Sequence, residues 1–146
     1  LVCLVGSEMC IRDRKNIYDE AEIENTIFDF EENLADFINQ SDLCITRAGA
    51  STLAELSIMN KPFLTIPLVS AKDNHQFENA NFYQNLGCCW IMSQKDFNDV
   101  NLEKFLNHII MNKSEYNVKK NNLEKHNFQN SWNDINQKIL ETINEN

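Results

Sequence analysis

From Lys15 onward, apolar positions along the chain alternate between strand-like and helix-like spacing. AEIENTIFDF (21–30) predicts a strand running into a loop near Phe28–Glu31. ENLADFINQ (32–40) places Leu34, Phe37 and Ile38 at i, i+3 and i+4, one face of a helix. DLCIT (42–46) is a short apolar run with the character of a buried strand. TLAELSIMN (52–60) returns to helical spacing until Lys61-Pro62 interrupts it, and FLTIP (63–67) predicts the next strand. LVSAKDN (68–74) is a polar loop, and HQFENANFYQNLG (75–87) a helix closed by Gly87. CCWIM (88–92) predicts a further strand. NLEKFLNHIIMN (101–112), a Lys/Asn-rich middle section and WNDINQKILETIN (132–144) predict three closing helices.

Strands alternating with helices imply right-handed βαβ units, hence an α/β fold with a Rossmann-like parallel sheet and flanking helices. Such sheets bind ligands at the carboxyl ends of their strands, where loops lead into helix N-termini. Two loops therefore face the active edge: Thr46–Thr52 and Pro67–Gln76. The first fourteen residues, LVCLVGSEMCIRDR, show no period of two or 3.6 and lack the pattern of a signal peptide. They resemble translated sequencing adapter, so residues 1–14 are expected to be non-native and 15–146 to form the domain.

The length, 146 residues, suits one globular domain. The formal net charge of −9 argues against a nucleic-acid partner, which needs clustered Lys and Arg. Any phosphate must then be met locally, by backbone N–H groups and a helix end. No apolar run approaches the roughly 20 residues of a membrane span. The five cysteines, Cys3, Cys10, Cys44, Cys88 and Cys89, form no CxxC pair and no metal-ligand spacing with histidine. Buried strand thiols fit them better than a redox or metal role.

In RAGASTLAEL (47–56), Gly49 permits a close or left-handed backbone approach, and Ala50 keeps that approach open. Ser51 or Thr52 can cap the helix, whose free N–H groups suit a diphosphate without any metal. Glu55, one turn in, can accept two hydrogen bonds from a ribose diol. The same letters also spell a capping box, Thr52 to Glu55, in which the carboxylate only reaches back to the cap. In the second loop, Asp73 or Asn74 can cap the following helix, with His75 and Gln76 in its first turn. Gln76 offers a donor and an acceptor suited to sugar hydroxyls. His75, His108 and His126 read as surface histidines. No GxSxG, P-loop, HExxH or GxGxxG motif occurs.

Together the two loops resemble the donor-binding half of MurG-type glycosyltransferases, GT-B enzymes of family 28. The elements in order are Ala48-Gly49-Ala50, Thr52, Glu55, Lys61-Pro62, Pro67, Asp73, His75-Gln76 and Asn79-Ala80, within a match over roughly 27–110. The resemblance implies transfer of N-acetylglucosamine from its UDP conjugate to lipid-linked N-acetylmuramoyl-pentapeptide, in peptidoglycan synthesis, with inversion and without a cofactor. It implies a UDP-N-acetylglucosamine site at Ala50, Ser51, Thr52, Leu53, Ala54 and Glu55. Gln76 and His75 would lie at the sugar, and the Phe30–Glu31 turn, through Glu31, at the uracil. The family's glycine-rich acceptor half, with its proposed base, is not found in these residues, so the chain is expected to be an incomplete C-terminal domain, inactive alone. The family works at the cytoplasmic side of the bacterial inner membrane. Two alternatives remain open: another GT-B enzyme using a UDP-sugar, making glycolipid or chitobiosyl lipid, or a non-catalytic nucleotide-sugar-binding module.

Overall fold

The computed structural model describes residues 2–5, 15–28, 30–69 and 74–126. The chain divides into two compact units, Leu1–Cys44 and Ile45–Asn146. In the first lie β1 (Val2–Val5), a helical turn α1 (15–20), β2 (Asn25–Phe28) and α2 (Leu34–Gln40). β1 and β2 pair in parallel, from Val2 opposite Asn25 to Val5 opposite Phe28. The sequence pattern predicts no element at 2–5. Four apolar residues are too few to show a period, yet they form a strand beside the ladder of another. The rings of Phe28 and Phe37 meet 5.1 Å apart, and Ile38 is buried, the helical face that the spacing predicts.

The second unit carries a three-stranded sheet in the order β3 (Cys44–Thr46), β4 (Phe63–Thr65), β5 (Cys89–Ile91). β4 and β5 run parallel, with Phe63 opposite Cys89 and Thr65 opposite Ile91. Between the strands come α3 (Ala50–Ile58) and α4 (His75–Asn85), and after them α5 (Asp99–Met111) and α6 (Lys113–His126). The predicted α/β alternation thus holds. The helix predicted at 132–144 lies outside the described residues.

β4 is the centre of this unit: Phe63, Leu64 and Thr65 are all buried, as are Pro62 and Ile66 on either side. Leu53 and Leu56 of α3, and Ala80 and Tyr83 of α4, are buried with it. Phe63 and Tyr83 pack edge to face with centroids 5.6 Å apart. Burying a Leu or Phe side chain stabilises by roughly 1.5–3 kcal/mol. Two polar side chains enter the core with partners: Ser57 Oγ donates to Leu53 O at 2.6 Å, and Thr65 Oγ1 to Trp90 O at 3.2 Å. Cys88 and Cys89 are buried as expected, and burial pushes the Cys89 thiol up to about 12. β3 departs from the prediction. It is shorter than 42–46 and not buried, with Ile45 42 % exposed, because it is an end strand of the described sheet.

Both sheet-covering helices end by the same device. Gly87, at φ +70°, follows α4; its N–H bonds Gln84 O at 2.8 Å and that of Cys88 bonds Tyr83 O at 2.9 Å. This paired pattern is a Schellman motif. α3 closes identically on Asn60, at φ 53°, with Asn60 N–H to Ser57 O and Lys61 N–H to Leu56 O. Pro62 therefore follows a helix that has already stopped. A second hairpin, α5 and α6, covers β5: Trp90 packs edge to face on Phe105, and its indole N–H donates to Glu115 Oε1 at 2.6 Å. That bond, with His108 beside it, holds the Glu115 carboxyl below its ordinary range. Asn122 Nδ2 donates to Gly87 O at 3.1 Å, tying α6 to the end of α4.

Replacing Asn60 by alanine should lower stability by about 1 kcal/mol, since a Cβ disfavours the left-handed region and the Asn side chain tolerates it best. Asn60→Gly should match or exceed the wild type in thermal unfolding. Gly87→Ala should cost more, because the new methyl would also sit 2.6 Å from Asn122 Nδ2. Equal melting of Gly87→Ala and wild type would contradict the left-handed closure.

Candidate functional site at two helix starts

The loop leaving β3 runs through Arg47, Ala48 and Gly49 into α3. Gly49 is the N-cap, with φ −70° and ψ 134°, and no side chain caps the helix. This corrects the expected cap at Ser51 or Thr52. The helix begins at Ala50, a strong helix former, so the capping-box partner position falls on Thr52 and Glu55 lies a turn further in. The Thr52–Glu55 box does not form. Glu55 is exposed, and its carboxylate has no hydrogen-bond partner among the described residues.

Gly49 is also not left-handed. What glycine supplies here is room: an added Cβ would meet only Thr52 Oγ1, at 3.8 Å. The fold tolerates a side chain at this point, so the bare backbone is not required by packing. Ala50 and Ser51 are exposed, Thr52 and Ala54 half-buried. Leu53 faces the other way: its side chain is fully buried, and its N–H bonds Gly49 O at 3.0 Å. The N–H groups of Ala50, Ser51 and Thr52 precede that first helical bond. They form a small positive array at the carboxyl end of β3, of the kind that accepts anions.

Three ties fix the loop. Arg47 Nη1 donates to Ile66 O at 3.1 Å, and Ile66 N–H donates to Thr46 O at 2.9 Å. From α4, Asn79 Nδ2 donates to Ala48 O at 3.1 Å. Ala48 itself is fully buried. The sequence flags Asn79 only as part of the Asn79-Ala80 pair; its bond partner lies 31 residues away and no local pattern could reveal it.

In the second loop, Leu68 and Val69 are described, and Asp73 lies outside the described residues. Asn74 holds the N-cap position of α4 in a left-handed conformation (φ 57°), but its side chain makes no capping bond. His75 is exposed. Gln76 is half-buried, and its Oε1 accepts the Leu68 N–H at 2.9 Å. Its carbonyl thus spends one of its two lone pairs on holding the loop, and the amide NH2 makes no bond among the described residues. Glu31 belongs to the first unit, where it is half-buried and its Oε1 accepts the Asn33 N–H at 2.9 Å; Phe30 beside it is 75 % exposed. Among the described residues, no group of three or more His, Cys, Asp or Glu could hold a metal ion.

Comparison with known proteins identifies the family. The model of the glycosyltransferase family 28 C-terminal domain matches residues 1–139. A Pelagibacter ubique protein is 52% identical over 132 residues, covering 90% of this chain and 37% of its own length. Its name is UDP-N-acetylglucosamine--N-acetylmuramyl-(pentapeptide) pyrophosphoryl-undecaprenol N-acetylglucosamine transferase. A Rickettsia bellii protein of the same name is 39% identical over 112 residues, covering 76% of this chain and 32% of itself. The chain thus spans about a third of the length of these relatives. The crystal structure of Acinetobacter baumannii MurG shares the fold, with a TM-score of 0.76 at 23% identity over 99% of this chain and 42% of that one. The chain belongs to glycosyltransferase family 28, and its matched part is that family's C-terminal domain.

Proposed function

We propose that this chain is the UDP-N-acetylglucosamine-binding part of a glycosyltransferase that transfers N-acetylglucosamine to lipid-linked N-acetylmuramoyl-pentapeptide, at the cytoplasmic side of a bacterial inner membrane. The observation that carries the reading is the uncapped start of α3 beside the carboxyl end of β3. The names of the relatives support the substrate and the acceptor. The diphosphate lies over the N–H groups of Ala50, Ser51 and Thr52, with Leu53 anchoring the turn from beneath. Glu55, unengaged and exposed, accepts the ribose hydroxyls. His75 and the free amide of Gln76 lie on the sugar side.

The transfer is an inverting displacement in which the acceptor hydroxyl attacks the anomeric carbon as UDP departs. Negative charge grows on the diphosphate as that bond breaks. N–H donors already fixed in place stabilise it without reorganising, which is where preorganised electrostatics lower a barrier most. Neutral donors suit a chain of net charge −9, since no cluster of cations has to be assembled. The acceptor and the base that deprotonates it belong to other parts of the enzyme. Among the described residues no helix is long and apolar enough to cross a membrane.

Calorimetry of the 146-residue chain with UDP-N-acetylglucosamine and UDP-glucose tests the reading, with binding expected and the first ligand preferred. Glu55→Ala should weaken UDP about tenfold, the loss of a charge-assisted bond pair to the ribose. Because Glu55 caps nothing, the same variant should melt within about 0.5 kcal/mol of wild type. Tight UDP binding untouched by Glu55→Ala would remove Glu55 from the site, and absence of UDP binding would remove the site. Incubated alone with UDP-N-acetylglucosamine and a lipid-linked acceptor, the chain should give no transfer; clear turnover would contradict the division of labour.

A further inference from the structure

The Ala48 carbonyl is fixed by Asn79, and this has a geometric consequence one atom further along the chain. Peptide bonds are planar, and none described here is cis, so the Ala48 carbonyl and the Gly49 N–H point in opposite directions. With the carbonyl drawn toward α4 by the 3.1 Å bond from Asn79 Nδ2, the Gly49 N–H is turned away from α4. That N–H has no hydrogen-bond partner among the described residues. It stands immediately before the free N–H groups of Ala50, Ser51 and Thr52, and an added Cβ at Gly49 would meet only Thr52 Oγ1 at 3.8 Å.

Asn79 does not act on this loop by chance of packing. Three residues earlier, on the same face of α4, Gln76 accepts the Leu68 N–H at 2.9 Å. One helix face therefore grips both loops, the first through an amide donor and the second through an amide acceptor. On the other side of Ala48, Arg47 and Thr46 are bonded to the two polar groups of Ile66. Held from both directions, the Ala48–Gly49 plane can rotate only by breaking the Asn79 bond.

We propose that Asn79 is a positioning residue of the nucleotide site: its amide sets the Ala48–Gly49 peptide plane so that the Gly49 N–H joins the first turn of α3 as a further donor to the diphosphate. This rests on the nucleotide-binding reading above. Its distinguishing mark is selectivity for phosphate. Loss of the Asn79 bond frees one peptide plane that a diphosphate uses and a nucleoside does not.

The test compares UDP with uridine on the whole 146-residue chain, in wild type, Asn79→Ala and Asn79→Asp. Asp matches Asn in volume but, ionised, cannot donate to a carbonyl. Both variants should bind UDP roughly tenfold more weakly, the loss of one well-aligned donor, while uridine changes by less than about twofold. In amide NMR of the wild type, UDP should shift the Gly49 resonance, and uridine should not. Parallel loss of UDP and uridine, no loss of either, or a Gly49 resonance indifferent to UDP would each overturn the positioning role. If both variants fail to fold, Asn79 is a structural residue and the inference falls. A wild type that binds no UDP overturns this inference together with the reading beneath it, whereas UDP binding that survives in the variants overturns the inference alone.

Discussion

β4 must satisfy its backbone and bury its side chains on both faces at once, and the other described elements of the second unit follow from that demand. A strand in this position needs a ladder on each edge and an apolar layer above and below. β3 and β5 supply the edges, while α3 and α4 bury Leu53, Leu56, Ala80 and Tyr83, with Tyr83 on Phe63. Each helix must then enter and leave within a few residues of the sheet. Schellman closures at Asn60 and Gly87 give the sharp exits. The entries are where backbone groups go without intrahelical partners. Covering β4 thus creates, beside its carboxyl end, the polar positions that a ligand can use.

The loop of the candidate site is tied by hydrogen bonds more than by side-chain bulk. An array of N–H groups attracts an anion only if the groups stay convergent, and a loop of Arg47, Ala48 and Gly49 has little side-chain bulk to keep it so. Long-range bonds replace that bulk: Arg47 and Thr46 to Ile66, and Asn79 to Ala48. Because the N-cap is Gly49, the carboxylate of Glu55 is not consumed by the helix it belongs to. The apparent choice between capping and ligand binding therefore does not arise. Cap and carboxylate are separated by more than a turn.

The candidate site was legible in the sequence as two polar loops that follow two strands, and the family resemblance joined them. Its inner workings were not. The capping box Thr52–Glu55 is a correct local pattern in the wrong place, because the N-cap lies three residues earlier, at Gly49. Gln76 looked like a two-handed sugar ligand, and one of its hands holds Leu68. Asn60 was hidden by Pro62, the louder breaker, although Asn is the residue that best stands in for glycine at a left-handed closure. Each of these depends on where a backbone group points, which residue type alone does not encode.

Periodicity and breaker residues determined the order of elements from β2 onward, the α/β class and the helix face carrying Phe37 and Ile38, because burial of apolar faces is a local property of the pattern. The chain's acidity likewise argued against a basic phosphate-binding surface. The tertiary structure decided which strand is the buried one, since β3 reads as apolar but lies at an end of the described sheet. It also decided which side chains hold the loops and which remain available. Hydrogen bonds between residues 19 and 31 positions apart form only once the sheet has brought those residues together, and no stretch of sequence contains both partners.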